Sequence, residues 1–283
     1  MLKPDWLKIT LPKGNNYNKI KETVHRYHLN TVCLSARCPN LGECWGRKTA
    51  TFMILGDVCT RKCQFCAVNT GNPKGVFDQA EPKRIAQAVG ELNFDYVVIT
   101  SVTRDDLPDG GAAVFAETIK EIKQLSQKTK VEILIPDFAG DFNALKKVLC
   151  AQPFVLGHNL ETVARLTSKI RDQRANYNTS LELLRNSKEL YPDIKTKSGF
   201  MVGLGETEEE IFATLKGLKN VKVDIVTIGQ YLQPTKKHLP VKNYIKPEQF
   251  ENFRKYGLQL GFSSVFSGPL VRSSYHAATL VNF

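Results

Sequence analysis

The cysteines of this chain have the spacing of metal ligands. Six of the seven lie between positions 33 and 66, in two groups of three. The first group, which follows C-x4-C-x5-C, is Cys33, Cys38 and Cys44. The second group, which follows C-x3-C-x2-C within the segment CTRKCQFC, is Cys59, Cys63 and Cys66. Three thiolates can hold three irons of a four-iron cluster and leave the fourth iron to another ligand. Each group therefore predicts an iron–sulfur cluster with one open corner.

Zinc is the competing metal, because closely spaced cysteines commonly bind it. Structural zinc sites use four ligands, usually from C-x2-C pairs, whereas each group has three cysteines and the second has the spacing x3 and then x2. For the first group, a zinc knot that stabilises a short extension is the alternative. The N-terminus has no apolar signal segment, so we expect a cytoplasmic protein, in which dense thiols bind metal rather than form disulfides.

Composition is typical of a globular protein with one large or two small domains. The 283 residues are 42% hydrophobic and 24% charged. No run of about eighteen apolar residues occurs, so we expect no membrane span or membrane partner. The net charge of +11 is spread over short clusters such as Lys146–Lys147 and Lys236–Lys237. Because no basic tail or aromatic-interleaved basic patch occurs, a nucleic-acid partner is not expected.

The elements that must position the cysteines alternate between strand and helix. The predicted strands are Thr51–Leu55, Tyr96–Ser101, Val131–Pro136, Phe154–His158, Lys197–Val202, Ile225–Tyr231 and Ser263–Phe266. The predicted helices are Pro82–Leu92, Gly111–Leu125, Phe142–Cys150, Asn178–Leu190, Glu208–Leu218 and Pro247–Leu260. Such alternation favours a mostly parallel sheet with right-handed crossovers. We predict an α/β fold, a partial (β/α)6 TIM-type barrel, with an open doubly wound sheet as the alternative.

Three segments follow from this rhythm. Residues 1–48 form an N-terminal extension with the first cysteine group, 49–266 the barrel, and 267–283 a tail without helix pattern that folds back on it. The second cysteine group leaves the first barrel strand, and barrels place their chemistry in such loops. Thr207 with Glu210 predicts a capping box. Cys150, at the apolar side of a helix end, is predicted to be a buried core thiol.

The second cysteine group, with Phe65 before its last member, resembles the motif of the radical SAM enzymes. The resemblance covers the barrel, from about residue 49 to 266. It implies that the three thiolates hold a 4Fe–4S cluster whose open iron binds S-adenosylmethionine (SAM). It also implies that reductive cleavage of SAM yields a 5′-deoxyadenosyl radical, which can take hydrogen from an unactivated C–H bond.

Both cysteine groups together resemble the lipoyl synthase family. So do the segments TSVTRDDLPDGGA, PDF, HNLETV, SGFMVGLGET and VRSSYHA, which occur in that family's order. The resemblance spans nearly the whole chain. It implies that the first group holds an auxiliary 4Fe–4S cluster, completed by a serine of the Arg-Ser-Ser-Tyr motif. We assign that ligand to Ser274, which the sequence barely separates from Ser273.

The resemblance also implies a reaction and its partners. The family inserts sulfur at C6 and C8 of an octanoyl chain on a lipoyl carrier domain or a glycine-cleavage carrier protein. The auxiliary cluster is the sulfur donor, a ferredoxin or flavodoxin the reductant, and a further protein repairs the cluster. A monomer is expected. The charge of +11 suits an acidic carrier through electrostatic steering.

Polar residues at strand ends are the remaining site predictions. The predicted SAM contacts are Phe65, Thr103, Asn159, Glu161, Arg174 and Gly203. A surface salt bridge is the alternative for Arg174. The predicted substrate contacts are Arg272 and Tyr275. The carboxylates predicted instead as caps of the helix near Gly111 are Asp105, Asp106 and Asp109.

Two other functions are possible on these residues. Another auxiliary-cluster radical SAM enzyme, one resembling biotin synthase, leaves the first cysteine group and VRSSYHA unexplained. A zinc- or cluster-stabilised module that binds RNA through its basic surface belongs to a different class. A zinc module would be colourless, whereas two four-iron clusters would colour the protein brown.

Overall fold

The computed structural model describes residues 3–9 and 14–280 and divides into two compact units. Of the described residues, the N-terminal unit holds 14–61 and 68–156. The C-terminal unit holds 3–9, 62–67 and 157–280. None of the described helices is long and apolar enough to cross a membrane.

The N-terminal unit alternates strands and helices. Its elements are α1 (Asn15–Arg26), β1 (Asn30–Thr31), α2 (Val32–Ser35), α3 (Leu41–Gly46), β2 (Thr51–Ile54), β3 (Val58–Cys59), β4 (Asn69–Thr70), α4 (Glu81–Leu92), β5 (Tyr96–Ser101), α5 (Ala112–Leu125), β6 (Lys130–Leu134), α6 (Phe142–Cys150) and β7 (Val155–Gly157), whose last residue belongs to the other unit. Strands β2, β5 and β6 are parallel neighbours, with Thr51 opposite Val98 and Tyr96 opposite Lys130. All of β2 and all but the last residue of β5 are buried, as parallel strands covered on both faces require.

The segment before the first cysteine group is tied to this sheet. Strand β1 pairs antiparallel with β2, so that Asn30 lies opposite Met53 and Thr31 opposite Phe52. The side chain of Thr31 then caps α2 by accepting from the Leu34 amide at 3.3 Å. Two residues are too few to show an alternating pattern, which is why the sequence did not predict this strand. The pairing holds the chain immediately before Cys33.

Glycine is required where α5 begins. Gly111 is the N-cap of α5 and has a φ of +90°. A Cβ atom there would lie 2.2 Å from Leu55 Cδ1. Only glycine combines this backbone conformation with so close an approach of the helix start to the residue after β2.

The C-terminal unit has a second set of parallel strands. Its elements are a 3-10 turn (Asp5–Leu7), α7 (Ala164–Ile170), α8 (Tyr177–Leu190), β8 (Lys195–Val202), α9 (Glu208–Asn220), β9 (Ile225–Gln230), α10 (Pro247–Gln259), β10 (Ser264–Gly268) and α11 (Ala277–Leu280). Strands β8, β9 and β10 are parallel, and Ile225 lies opposite both Lys197 and Ser264. Their buried faces join α9 and α10 in one core that includes Phe200, Leu215 and Phe253.

The predicted strands and helices from position 51 onward all occur, with ends shifted by at most two residues. The predicted capping box at Thr207 and Glu210 is confirmed. Two other predictions were wrong. The described part of the tail contains a short helical turn, α11, and Cys150 is exposed rather than buried. The buried stripe of α6 ends at Val148 and Leu149, and the next position rotates away from it.

Candidate metal centres

The first cysteine group lies within the N-terminal unit, on α2 and α3 and the turn between them. Cys33 is buried, Cys38 and Cys44 are partly buried, and none forms a disulfide. The Cys38 amide donates to the Cys33 carbonyl at 3.0 Å, which closes the turn. Desolvation, with the charge of Cys38, raises the pKa of Cys33 to about 11. Desolvation, with the charges of Cys33 and Cys38, raises the pKa of Cys44 to about 12. The three sulfurs therefore lie within electrostatic reach of one another.

Trp45, directly after Cys44, supplies a test of whether a cluster fits there. Its side chain is 0% exposed and packs against Tyr17, with 5.4 Å between ring centroids. Its indole N–H lies near enough to Cys33 to lower the pKa of that thiol against the effect of burial. Yet it has no partner in strict hydrogen-bond geometry among the described residues. A buried donor is costly without an acceptor, and a metal-bound thiolate is the acceptor that this donor suits. The site fits an iron–sulfur cluster.

The described residues contain no three His, Cys, Asp or Glu side chains gathered around a single metal ion. A four-iron cluster holds its thiolates farther apart than one ion does. The three cysteines of the first group are therefore separate free thiols.

Cys59, the first member of the second group, ends β3 in the N-terminal unit. Strand β3 pairs with β4, where Cys59 lies opposite Thr70. The Gly71 amide donates to the Cys59 carbonyl at 3.0 Å, and the Arg61 amide donates to the Cys59 Sγ at 3.4 Å. Backbone amides thus hold both the carbonyl and the sulfur of Cys59.

Arg61 anchors the segment that follows Cys59. Its side chain is 5% exposed and forms a two-bond fork with Asp105, through Nε at 3.0 Å and Nη2 at 2.9 Å. Its Nη1 donates to Asp137 at 2.6 Å. Desolvation opposes the charge of Arg61, but the bonds to Asp137 and Asp105 outweigh it and raise the pKa of the guanidinium above its usual value. Sequence reasoning missed this role for Arg61 and Asp137.

The three aspartates predicted as helix caps have separate roles. Asp109 does cap α5, because its carboxylate accepts from the amides of Gly111 and Ala113 at 3.0 Å each. Asp105 pairs with Arg61 instead. Asp106 pairs with the buried Arg104, whose hydrogen bonds lower the pKa of that carboxyl to about 2. The prediction was wrong for Asp105 and Asp106, since each finds an arginine nearer than a helix end.

Cys63 and Cys66 lie within the C-terminal unit and have their own supports. The Asp172 amide donates to the Cys63 Sγ at 3.3 Å, and the Asp172 carboxylate accepts from the Lys62 amide at 2.8 Å. His238 Nε2 lies 3.0 Å from the Cys66 carbonyl oxygen. Hydrogen bonds from Arg174 hold the pKa of Asp172 well below its usual range. Asp172 therefore links an arginine to the backbone before Cys63.

The predicted SAM contacts have these surroundings. Phe65 is partly buried and packs against the core of the C-terminal unit. The Thr103 carbonyl accepts from the amide of Thr60 at 2.9 Å. Arg174 donates from Nε to Asp172 at 2.8 Å, with 45% of its side chain exposed.

Asn159 and Glu161 follow β7 and interact with each other. The Asn159 side chain hydrogen-bonds to the Glu161 carboxyl, and burial raises the pKa of that carboxyl. The backbone of Glu161 has a φ of +67°, an uncommon value for a residue with a side chain. The Glu161 amide donates to the Gly199 carbonyl at 3.1 Å, and the Met201 amide donates to the Glu161 carbonyl at 2.9 Å. The structure thus brings two of the predicted residues together at one strand end.

Gly203 directly follows β8 and has a φ of +100°. A Cβ atom there would lie 2.1 Å from Gln230 Nε2 and 2.5 Å from the Asn243 carbonyl oxygen. The Glu206 carboxylate accepts from the Gly203 amide and, at 3.0 Å, from the Leu204 amide. Close packing by other protein groups is therefore a sufficient reason for glycine at this position.

A buried trio lies beside these residues in the C-terminal unit, and sequence reasoning missed two of its members, Arg171 and Ser180. His158 Nε2 is 2.9 Å from the Ser180 hydroxyl, and Arg171 Nη1 donates to the same hydroxyl at 3.0 Å. Ser180 lies on α8 and is completely buried. Its only sequence signal is a polar residue on the apolar face of a predicted helix.

The Arg-Ser-Ser-Tyr motif lies in the C-terminal unit as a partly buried turn, closed by a bond from the Tyr275 amide to the Arg272 carbonyl at 3.0 Å. The segment before it lies directly on β9. A Cβ atom on Gly229 would lie 2.0 Å from the Val271 carbonyl oxygen. Glycine in β9 therefore lets the tail approach, and Ser274 follows three residues after this contact.

Comparison with known proteins identifies the family. A model of the radical SAM superfamily matches residues 53–218, and a model of the N-terminal domain of lipoyl synthase matches residues 1–38. Lipoyl synthase of Thermus thermophilus is 55% identical over 275 residues, which cover 97% of this chain and 85% of that protein. Lipoyl synthase of Rubrobacter xylanophilus is 56% identical over 275 residues, with the same coverage. The chain belongs to the lipoyl synthase family.

Membership of the lipoyl synthase family confirms the resemblance seen in the motifs. It makes the chain a radical SAM enzyme that inserts sulfur and uses SAM with an iron–sulfur cluster. The crystal structure of methylornithine synthase has a TM-score of 0.52 at 18% identity, and the match covers 89% of this chain and 82% of that one. At such identity the likeness concerns the fold alone. It confirms the predicted α/β class and partial (β/α)6 barrel.

Proposed function

We propose that this member of the lipoyl synthase family replaces one C–H bond at C6 and one at C8 of a protein-bound octanoyl chain with C–S bonds. The octanoyl chain is amide-linked to a lysine of a lipoyl carrier domain or a glycine-cleavage carrier protein. The observation that carries the proposal is the pairing of lipoyl synthase relatives over 97% of the chain with two separate groups of three free cysteines.

The second cysteine group holds the resident cofactor in this proposal. Its members are Cys59, Cys63 and Cys66. When bound, the 4Fe–4S cluster and SAM supply the radical that takes hydrogen from the octanoyl chain. The chain's own part is to bind SAM through the predicted contacts, to orient the octanoyl chain through Arg272 and Tyr275, and to exclude water.

The auxiliary 4Fe–4S cluster is a reactant, because its sulfur enters the product. Its proposed ligands are Cys33, Cys38, Cys44 and Ser274. A serine oxygen is a harder and poorer ligand for this iron than a thiolate. One corner of the cluster is therefore the easiest to release, which suits a cluster that is consumed. The buried position of Cys33 and Trp45 protects the sulfur donor from water.

The partners follow from the same reaction. A ferredoxin or flavodoxin supplies electrons, and a repair protein rebuilds the auxiliary cluster after each turnover. The enzyme acts as a monomer in the cytoplasm. Its net charge of +11 attracts an acidic carrier domain at long range.

The deciding experiment is mass spectrometry of an octanoylated carrier after anaerobic reaction with the reconstituted enzyme, SAM and a strong reductant. The carrier should gain two sulfur atoms. Cys33→Ala should still cleave SAM to 5′-deoxyadenosine but insert no sulfur, whereas Cys59→Ala should do neither. Sulfur insertion by Cys33→Ala at the parent's rate would refute the donor role of the auxiliary cluster.

The assignment of the serine ligand has its own matched pair. Ser274→Ala should lower the iron content and abolish sulfur insertion, while Ser273→Ala should keep both. The reverse result would transfer the ligand role to Ser273. Equal behaviour of both variants and the parent would leave no role for a serine ligand.

A further inference from the structure

Arg61 lies between two cysteines of the second group in the sequence, and it is a charged side chain turned into the protein rather than into solvent. Only 5% of it is exposed. We propose that Arg61 is a positioning residue, which holds Cys59 in the place that a cluster ligand needs by bridging Asp105 and Asp137.

A short covalent and hydrogen-bonded path joins the Arg61 guanidinium to the Cys59 sulfur. The Arg61 amide donates to the Cys59 Sγ at 3.4 Å, so any movement of this peptide moves the donor on that sulfur. Thr60, between them, bonds to the Thr103 carbonyl and, through its hydroxyl, to the Asp105 carboxylate at 3.0 Å. Asp105 therefore receives bonds from two consecutive residues after Cys59.

Asp105 and Asp137, the two partners of Arg61, each follow a strand of the sheet. Asp105 follows β5 and Asp137 follows β6, and these are adjacent parallel strands. Asp137 also opens a 3-10 turn, because its Oδ1 accepts from the Ala139 amide at 3.0 Å. The guanidinium is thus bonded to the loops that follow two neighbouring strands. Side chains fixed by a rigid scaffold hold a ligand more accurately than a free loop does.

Both the charge and the shape of the Arg61 side chain are needed between these two carboxylates. The Asp137 side chain is 1% exposed, and a carboxylate so buried needs a cation beside it. One planar guanidinium meets both carboxylates, with a two-bond fork on Asp105 and a single bond on Asp137. An ammonium group is a point charge and cannot reproduce that fork. Geometry as well as charge is therefore required.

This inference rests on the ligand role of Cys59 in the proposed function, and it concerns groups that no metal needs to touch. Partners that orient a metal ligand typically change metal affinity by about 10- to 100-fold when they are removed. The same loss should appear at the second cysteine group when either end of the ion pair is changed.

The test uses full-length protein with three variants. Arg61→Lys keeps the charge but loses the fork, and Asp137→Asn keeps the shape but loses the charge. The control is Glu251→Gln, which removes the charged partner of Arg254, at 2.7 Å on α10 in the C-terminal unit, and touches no cysteine segment. Hydrogen exchange is followed on the metal-free chain at the amides of Thr60 and Arg61 and along β9.

Arg61→Lys and Asp137→Asn should speed exchange at Thr60 and Arg61 by about tenfold or more and leave β9 unchanged, since local opening is separate from global unfolding. After anaerobic reconstitution, both should hold iron at the second cysteine group about 10- to 100-fold more weakly. Iron is counted in a Cys33→Ala background, which removes the first group. Glu251→Gln should match the parent in both measurements.

Three results would overturn the proposal. The first is unchanged exchange at Thr60 and Arg61 in Arg61→Lys and Asp137→Asn. The second is a parallel rise in exchange along β9, which would show that the ion pair only stabilises the fold. Asp105→Asn repeats the test in a milder form, because it weakens the two-bond fork to Arg61 at a side chain that is 20% exposed. The third is unchanged iron affinity. None of these readouts depends on sulfur insertion, so failure of the proposed function is recognised separately.

Discussion

Replacing Trp45 by phenylalanine tests whether the first cysteine group holds a cluster that uses a buried hydrogen-bond donor. The indole is 0% exposed, and its N–H has no partner in strict hydrogen-bond geometry among the described residues. Trp45→Phe removes the N–H and part of the ring while it keeps an aromatic side chain against Tyr17. The substitution should therefore act differently on the metal-free and the loaded protein.

In the metal-free protein two effects oppose each other. Losing part of a fully buried tryptophan costs roughly 1–3 kcal/mol, less than the full truncation to alanine. Removing a buried donor without an acceptor regains about 1–3 kcal/mol. The free energy of unfolding should thus change by at most about 2 kcal/mol in either direction, which corresponds to at most roughly 4–8 °C in the melting temperature of a domain of this size.

In the loaded protein the same N–H has a thiolate beside it, and the variant loses that bond. A hydrogen bond to a charged group contributes about 1.5–3 kcal/mol. Loaded and metal-free forms should then differ in their response by at least about 2 kcal/mol, which is about thirtyfold in the equilibrium between them.

The assay is anaerobic competition for iron against a graded series of chelators, in a Cys59→Ala background so that only the first group can hold a cluster. Trp6→Phe is the matched control, because Trp6 is the other tryptophan of the chain and is 41% exposed. It should retain iron like the parent. Equal retention by Trp45→Phe and Trp6→Phe would refute the reasoning, as would a metal-free Trp45→Phe protein that melts far below the parent.

Three further predictions concern the tail, the acid response and the carrier. Gly229→Ala should displace the tail and lose sulfur insertion while SAM cleavage persists, because its Cβ would meet the Val271 carbonyl. Gly90→Ala, on α4 with nothing near its Cβ, is the neutral control in the same assays. Hydrogen bonds from Arg165 lower the pKa of Glu210 from 4.5 to about 2. The extra stability of the parent over Glu210→Gln should therefore be full above pH 4.5 and vanish as the pH falls through about 2, as urea unfolding across that range would show. Binding of an acidic octanoylated carrier should weaken steadily with added salt, and a salt-independent dissociation constant would contradict electrostatic steering.

The sequence predicted the long elements because each buries a periodic set of apolar residues. Strand β5 and helix α6 occur with the predicted ends, Tyr96–Ser101 and Phe142–Cys150. Helix α1 was not predicted, since its apolar contribution to the buried face is Ile20 and Val24 within twelve residues. A short, weakly apolar helix is stabilised by packing that no local pattern reveals.

The side-chain partners of the cysteine segments were beyond the reach of sequence patterns. Arg61 and Asp137 are 76 positions apart, and their pairing depends on β5 and β6 being neighbours. Asp105 was predicted as a helix cap because caps are local and arginine partners are not. The cysteines themselves could be assigned, since the spacing of metal ligands is visible within a few residues.

Arginine–aspartate pairs support the second cysteine group in both units, and this bears on how Arg174 could bind SAM. Asp172 is 8% exposed at its side chain, holds the Lys62 amide, and accepts from Arg174. If Arg174 left Asp172 for the carboxylate of SAM, Asp172 would lose its cation and keep only the hydrogen bonds from the Lys62 and Arg174 amides. A guanidinium has five N–H donors and can serve two carboxylates at once, as Arg61 does. An Arg174 that binds SAM must therefore bridge it to Asp172. The cofactor carboxylate and the Asp172 carboxylate, which holds the Lys62 amide before Cys63, then share one cation.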